Sequence, residues 1–372
     1  LLLTGCFARA AAEKHSITRL WKQSSRLISR SITQNAGDHG EHYITRDKKE
    51  YWAMFYSAAG GGVLIALMAL FKTYLGSIID DKVWKGLAEG LNYGFGFMVI
   101  FMLHFTVATK QPAMTAARFA EAVEKNPQGK TLNMKLAQLL VDVFRSQSVA
   151  VLGNVVVAMG LAALIAFVYQ HQTGEPLMNS ENIAYQLHRI DPLDGSLWFA
   201  AIAGVWLFCS GIISGYFDNR SNYLNMRMRL AQHPLLKKLM SEKSRVKFAN
   251  YMHENYGSLI GNFCFGMLLG LTGLVGYLTH LPLDIRHVAF SSANLGYSAV
   301  SGQFAYPFFL QCIAFVLLIG LVNLMVSFSL TLWVALRSLN TEIDSWWAIW
   351  HEVCQIVRKR PLSLFFPVQL DK

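Results

Sequence analysis

The sequence predicts an all-α integral membrane protein: a bundle of six transmembrane helices, with both termini in the cytoplasm and amphipathic helices on the cytoplasmic side. Two observations lead to this prediction. Six mostly apolar stretches follow one another, each with about 20 residues or more, enough for a helix to cross a hydrocarbon core of about 30 Å. The loops rich in Lys and Arg fall on one side of these stretches only.

The limits of the apolar runs define the six predicted spans. They are Ala53–Leu75, Leu87–Thr109, Val149–Tyr169, Leu197–Tyr216, Tyr256–Thr279 and Phe308–Leu336. The chain of 372 residues is 53% hydrophobic and 15% charged, and a soluble protein of this length rarely contains six such windows.

The basic residues set the orientation. Of the 33 Lys and Arg residues, 28 precede the first span, follow the last, or lie between spans two and three or four and five. The other five are Lys72, Lys82, Lys85, Arg189 and Arg286. The positive-inside rule then places both termini in the cytoplasm, and an odd number of spans would break the pattern. The net charge of +10 therefore reflects topology and attraction to anionic lipids of the inner leaflet.

The chain divides into three regions. Residues 1–52 form a basic, amphipathic segment, which we expect either to lie on the inner leaflet or to end a helical domain whose beginning is missing. Residues 53–336 form the membrane domain, with helical cytoplasmic loops at 110–147 and 217–254, and residues 337–372 form a cytoplasmic tail. In the first loop, Pro127 and Gly129 predict the turn of a helical hairpin. Small residues at Ala58–Gly62 and at Gly266 and Gly270 predict close helix packing.

Polar side chains within the spans mark candidate sites, because such groups are costly in lipid unless they are paired. His104, in the inner half of the second span, is the strongest candidate, and a polar cleft around it would suit a transporter or channel. The alternative is hydrogen bonding that only fixes helix packing. No predicted span carries Asp or Glu deep in its apolar core, which argues against cation-coupled transport. The in-span candidates are His104, Asn92, Tyr93, Asn154, Asn262 and Asn323.

Two interfacial clusters complete the candidates. Asp218, Asn219 and Arg220 lie at the inner end of the fourth span, where they predict either an interfacial ion pair or a headgroup or phosphate site. On the outer side, Asp284, Arg286 and His287 lead into residues 290–294. We expect an ordinary external turn there, with a re-entrant polar loop as the alternative.

Motifs of known chemistry are absent from the sequence. It contains no Walker loop, no H-E-x-x-H and no G-x-S-x-G. Its five cysteines show no C-x-x-C spacing. We therefore predict no catalytic residue, no metal site and no cofactor.

Several segments resemble a bacterial family of multi-pass membrane proteins that carries the name site-specific recombinase. The resemblance implies a protein of the bacterial inner membrane and a chain that is the C-terminal membrane portion of a longer protein, preceded by a mainly helical cytoplasmic part. The family name implies DNA recombination. The resembling segments keep their order along the chain and are Gly40–Arg46, Glu50–Gly62, His104–Thr115, Asp218–Arg227, Asp284–Val288 and Arg360–Pro367.

Three functions follow from these observations. The first is a membrane scaffold whose cytoplasmic loops bind lipid headgroups, a protein partner or a second copy of the chain. The second is a transporter or channel with its cleft near His104. The third is DNA recombination, which needs a Tyr or Ser nucleophile backed by several Arg in a soluble, DNA-wrapping domain. Here the basic residues are split among short loops, so the residues favour the scaffold and argue against specific nucleic-acid binding.

Overall fold

The fold is a bundle of α-helices. A computed structural model describes residues 44–45, 47–108, 111–125, 130–339, 343 and 345–367, so most of the predicted basic segment 1–52 lies outside the described residues. No strand occurs in the described part. The helices are α1 (Lys48–Ile78), α2 (Lys82–Met102), α3 (Gln111–Lys125), α4 (Lys130–Thr173), α5 (Ser180–Ile190), α6 (Ser196–Tyr223), α7 (Met226–Gln232), α8 (Pro234–Leu239), α9 (Glu242–Thr279), α10 (Val288–Ser301), α11 (Tyr306–Leu339) and α12 (Trp346–Lys359).

Five helices are long and apolar enough to cross a membrane: α1, α4, α6, α9 and α11. They indicate a membrane protein and match five of the six predicted spans. The remaining predicted span corresponds to α2, a helix of 21 residues that ends at Met102 rather than at Thr109. Lys85, Glu89 and Asn92 lower the hydropathy of α2, which is why it does not meet the same criterion.

Helix α2 runs antiparallel along α9, and glycines bring the two backbones into contact. A Cβ atom on Gly270 would lie 2.3 Å from the Cα of Gly90, and one on Gly266 would lie 2.2 Å from the backbone nitrogen of Gly94. The residue numbers rise along α2 as they fall along α9, which gives the antiparallel direction. Small residues allow such an approach, as predicted for Gly266 and Gly270.

Glycines also join α1 to α4. A Cβ atom on Gly62 would lie 2.8 Å from the carbonyl oxygen of Asn154, and one on Gly153 would lie 2.8 Å from the carbonyl oxygen of Phe55. The small-residue run Ala58–Gly62 therefore serves as a packing face, as the sequence predicts.

Helix α10 lies in the interior of the bundle, where it packs against α1, α4, α5 and α11. Ser292 and Ala293 are fully buried, and the hydroxyl of the buried Tyr297 donates to the Ala66 carbonyl oxygen of α1 at 3.0 Å. The expectation of an ordinary external turn at residues 290–294 is therefore wrong. The segment enters the bundle, as in the alternative, but as a helix, which satisfies its own backbone groups.

The two ends of the bundle are named as follows. The α1–α2 end holds the turn between α1 and α2 together with α5. The basic end holds α3, α7, α8 and α12. At the basic end, Phe119, Leu136 and Ile349 belong to one buried apolar cluster. Helix α4 continues without a break for 44 residues, so that the second helix of the predicted hairpin and the third predicted span are one helix.

The close α2–α9 contact predicts that the stability of the protein is sensitive to the size of the side chain at position 270. We expect Gly270→Ala to lower the thermal stability of the purified protein, because the added methyl group would meet the backbone of Gly90. The control is Gly160→Ala on α4, where a Cβ atom has nothing within 4 Å, and where alanine is the better helix former by about 1 kcal/mol. Equal melting temperatures for the two variants would contradict the close packing described here.

Candidate binding cavity

A cavity of about 1150 Å³ lies at the α1–α2 end of the bundle. Its walls come from α1, α2, α4, α5, α9 and α10 and from the segment before α10. The volume lies at the upper end of the range typical of small-molecule sites. Its charged lining residues are Lys72, Lys82, Lys85, Glu89, Arg189 and Asp284.

An ion pair between α1 and α2 forms one wall of the cavity. The ammonium group of Lys72 lies 3.1 Å from a carboxylate oxygen of Glu89, and the two side chains are only 25% and 13% exposed. The same ammonium group lies 5.6 Å from the ring centre of the buried Tyr93. The shielded setting makes this pair costly to break, because removing one partner would leave the other charge uncompensated.

A second ionic cluster also borders the cavity. One carboxylate oxygen of Asp284 lies 3.1 Å from the guanidinium of Arg189 on α5 and 2.6 Å from that of Arg286. Burial raises the pKa of the Asp284 carboxyl, but the two positive charges outweigh burial and lower this pKa to about 2. Burial likewise lowers the pKa of Arg189, but the negative charge of Asp284 and the interactions with Tyr185 and Tyr93 together outweigh burial, so that this pKa lies above its ordinary value.

The cluster also joins α5 to the segment that leads into α10. The Nε of Arg286 donates to the Arg189 carbonyl oxygen at 2.7 Å, and Arg189 donates to the Ile285 carbonyl oxygen at 3.2 Å. Arg286 further lies over the ring of Phe199 near the start of α6, at 4.8 Å from the ring centre. The two arginines are therefore held in fixed positions at the edge of the cavity.

One face of α2 points into the cavity. Lys82, Lys85, Glu89 and Tyr93 all line it, and their spacing of three, four and four residues puts them on one side of a helix. Gly90 and Gly94 lie on the neighbouring side, against α9. Helix α2 therefore has a glycine side, which packs closely against α9, and a charged side. The contact on the glycine side determines that the charged side faces the cavity.

All five basic residues outside the basic loops converge on this cavity. Four of them line it, and Arg286 binds the Asp284 that lines it. Sequence reasoning used Lys72, Lys82, Lys85 and Arg189 only to assign topology, and it named Arg286 as an interfacial candidate. It did not single out Lys72 or Glu89 as a site because each lies near the end of a span. The helical spacing of Lys82, Lys85 and Glu89 was the signal that could have found the charged face.

His104 lies elsewhere. It is exposed, in the turn after α2, with a positive φ of 58°, and its carbonyl oxygen accepts from the Ser57 hydroxyl at 3.0 Å. The prediction that it lies within the second span is wrong because α2 ends at Met102. His104 does not line the cavity, so a transport cleft around it has no support.

The span asparagines are distributed rather than gathered. Buried Asn154 binds three backbone groups, accepting from Ala108 N–H and donating to the Ala58 and Thr106 carbonyl oxygens, and so ties the turn after α2 to α1. Buried Asn323 accepts from the first N–H of α10, that of Val288, at 3.1 Å.

The remaining polar residues of the spans make similar local bonds. Asn92 donates to the Met68 carbonyl oxygen at 2.9 Å, and Asn262 donates within its own helix to Ser258. Of the six in-span candidates, Tyr93 is the one that lines the cavity. The asparagine bonds described here are packing contacts, the alternative that the sequence left open.

The two interfacial clusters have different settings. At the basic end, the carboxylate of Asp218 accepts from the Gly257 N–H at 2.9 Å, Asn219 is exposed, and Arg220 donates to the Tyr216 hydroxyl at 3.4 Å. On the other side of the bundle, Asp284 lines the cavity, whereas Arg286 and His287 are buried behind it.

The profile of the family described as Site-specific recombinase matches residues 1–367, which is nearly the whole chain. The chain belongs to this family. No curated protein and no solved structure matches it. The activity of this member of the Site-specific recombinase family must therefore be argued from its own residues.

The arginine pair predicts how stability depends on Asp284. We expect Asp284→Asn to lower the free energy of unfolding by about 3 kcal/mol, because two shielded guanidinium groups lose their shared counter-charge. The control is Asp80→Asn, an exposed residue in the α1–α2 turn.

The same residue predicts a pH dependence. The pKa of Asp284 is lowered from about 3.8 to about 2, so its stabilisation is present above pH 4 to 5 and is lost as the pH falls toward 2. Thermal unfolding measured across this range should show a larger acid loss for the wild type than for Asp284→Asn. Parallel curves would show that the carboxylate does not hold the arginines together.

Proposed function

We propose that the protein is a six-span protein of the bacterial inner membrane with both termini in the cytoplasm, and that it binds an amphiphile from the bilayer in the cavity. The antiparallel packing of α2 along α9 supports the sixth span, because α2 accompanies a helix that is long and apolar enough to cross. At about 1.5 Å per residue, α2 is about 31 Å long. Its charged side faces the cavity rather than lipid.

This topology predicts which residues are reached from each side. In intact cells, a membrane-impermeant maleimide should label Asp80→Cys and Leu193→Cys, where Leu193 is 94% exposed between α5 and α6. The exposed native Cys354 on α12 should be labelled only in inverted vesicles. The unmodified protein is the control for the two introduced thiols. Labelling of positions 80 and 193 from opposite sides would show that α2 does not cross.

One observation supports ligand binding above all: charged and apolar walls meet in one large cavity. Its charged groups come from α1, α2, α5 and the segment before α10, whereas Leu67, Phe71 and Ile165 contribute apolar surface. Leu67 and Phe71 are also about half exposed on the outside of the bundle, toward the lipid in the proposed topology. A ligand with a polar head and an apolar tail satisfies both walls.

The basic end suits a second contact with lipid. Lys237 and Lys238 lie on α8 beside the strongly exposed Leu235 and Leu239, directly between the membrane-spanning helices α6 and α9. Basic and apolar side chains side by side favour an anionic membrane surface, at about 1 kcal/mol per basic residue. We propose that this segment rests on the inner leaflet, and that a protein partner would bind at the same end.

DNA recombination, the activity in the family's name, has less support from the residues. Strand cleavage needs a nucleophile among several Arg, whereas Arg189 and Arg286 are taken up by Asp284. The cations of the basic end are divided among several helices, with Lys237 and Lys238 on α8 and Lys243, Arg245 and Lys247 on α9. Non-specific contact with duplex DNA at the basic end remains compatible with the charge there.

Filling the cavity tests the proposed function. Gly273 lines it, and a Cβ atom there would be in ordinary contact with Asp284 at 3.6 Å, so Gly273→Leu adds bulk without a backbone clash. We expect this variant to fold but to lose lipid that the wild type retains through purification, counted by native mass spectrometry. Gly160→Leu, on the open outer side of α4, should retain it. Equal lipid retention by both variants would rule out the cavity as the binding site.

A further inference from the structure

The groups around the cavity carry more positive than negative charge, and this excess limits the kinds of ligand that would bind there. Lys72, Lys82, Lys85 and Arg189 line it and Arg286 stands directly behind, whereas its lining contains two carboxylates, those of Glu89 and Asp284. These groups therefore have an excess of three positive charges. The nearby carboxylate of Asp81 does not line the cavity and accepts the N–H groups that begin α2.

The excess lies chiefly on two lysines of α2. Asp284 binds both arginines, and Glu89 binds Lys72, whereas Lys82 and Lys85 form no ion pair with a carboxylate in the described part of the chain. Lys82 lies over the ring of Tyr277, 4.1 Å from its centre, so its ammonium group is directed across the cavity toward α9.

Lys85 reaches across the cavity in the other direction, toward α1. Its Nζ lies 3.1 Å from the position that a Cβ atom on Gly76 would occupy. Lys82 and Lys85 both line the cavity from positions three residues apart on α2, and Lys72 lines it from α1.

An anion with more than one negative charge fits this arrangement best. Lys82 is exposed and Lys85 is partly buried, and positive charges that line one cavity repel one another and are stabilised by a counter-ion. Lysine binds phosphate as a point charge, whereas the planar carboxylate recognition typical of arginine is already used by Asp284. We propose that the cavity binds a phosphate group, held by Lys82 and Lys85, and that the phosphate is the headgroup of a lipid whose tail lies against the apolar wall. The lipid part of this inference rests on the proposed function, whereas the phosphate part does not.

The ion pair between Lys72 and Glu89 has a role in this proposal. Glu89 is the carboxylate that competes with the phosphate for the lysines of the cavity, because it lies one turn beyond Lys85 on the same face of α2. Removing its charge leaves Lys72 available as a third ligand. Binding of the anionic ligand should then become tighter, an effect that simple loss of structure would not produce.

The test compares lipids that differ only in the phosphate. Purified full-length protein in detergent is titrated with a diacylglycerol phosphate, with the diacylglycerol of the same chains, and with inorganic phosphate. We expect the phosphate lipid to bind about tenfold or more tightly than the neutral lipid, and Lys82→Gln with Lys85→Gln to remove that difference. Arg358→Gln with Lys359→Gln, two exposed residues of α12, changes the net charge equally far from the cavity and should preserve it.

Glu89→Gln should change the affinity in the opposite direction, so that this variant binds the phosphate lipid more tightly than the wild type does. Equal affinity of the wild type for both lipids would overturn the phosphate assignment and leave the amphiphile site intact. Inorganic phosphate binding as tightly as the lipid would identify a soluble phosphate ligand, so that the phosphate assignment would stand and the proposed function would fail. Absence of binding by all three would overturn both.

Discussion

Gly90 and Gly94 bring the backbone of α2 against that of α9, and the position of every charge on α2 follows from this contact. A helix fixed on one side has only the opposite faces left for larger side chains. Lys85 and Glu89 therefore project into the cavity, and Lys82 also lines it, with its ammonium group over the ring of Tyr277 on α9. The same contact lets a helix with three charged residues lie inside a bundle of more apolar helices, because its charges meet polar groups rather than lipid.

The ionic groups of the cavity depend in turn on α10. The segment that enters the bundle begins with Asp284 and Arg286, and buried Asn323 fixes its start by accepting from the Val288 N–H. Since α10 is surrounded by α1, α4, α5 and α11, this segment cannot shift without moving the core. The arginine pair is thus preorganised beside the cavity, which lowers the cost of binding a ligand there.

The bundle of long helices could largely be predicted from the sequence, because long apolar runs are typical of helices that cross a bilayer. Five of the six predicted spans correspond to helices that can cross a membrane. The candidate site was predicted less well. His104 attracted attention as a polar residue in an apolar run, but the helix ends before it. Lys72 and Glu89 come together only because α1 and α2 pack side by side, and one-dimensional spacing does not show that contact.

The basic residues at the two ends of the protein differ in their surroundings. Those around the cavity therefore say more about function than those of the basic end. A lysine on α8 is exposed to water, so its charge costs little and is explained by topology alone. A lysine such as Lys72 is mostly shielded and needs a negative partner. Few basic residues lie at the α1–α2 end, but they gather around one cavity. The lining of this cavity contains only two carboxylates, so positive charge is in excess there. Topology accounts for their small number but not for their convergence, which a bound anion explains.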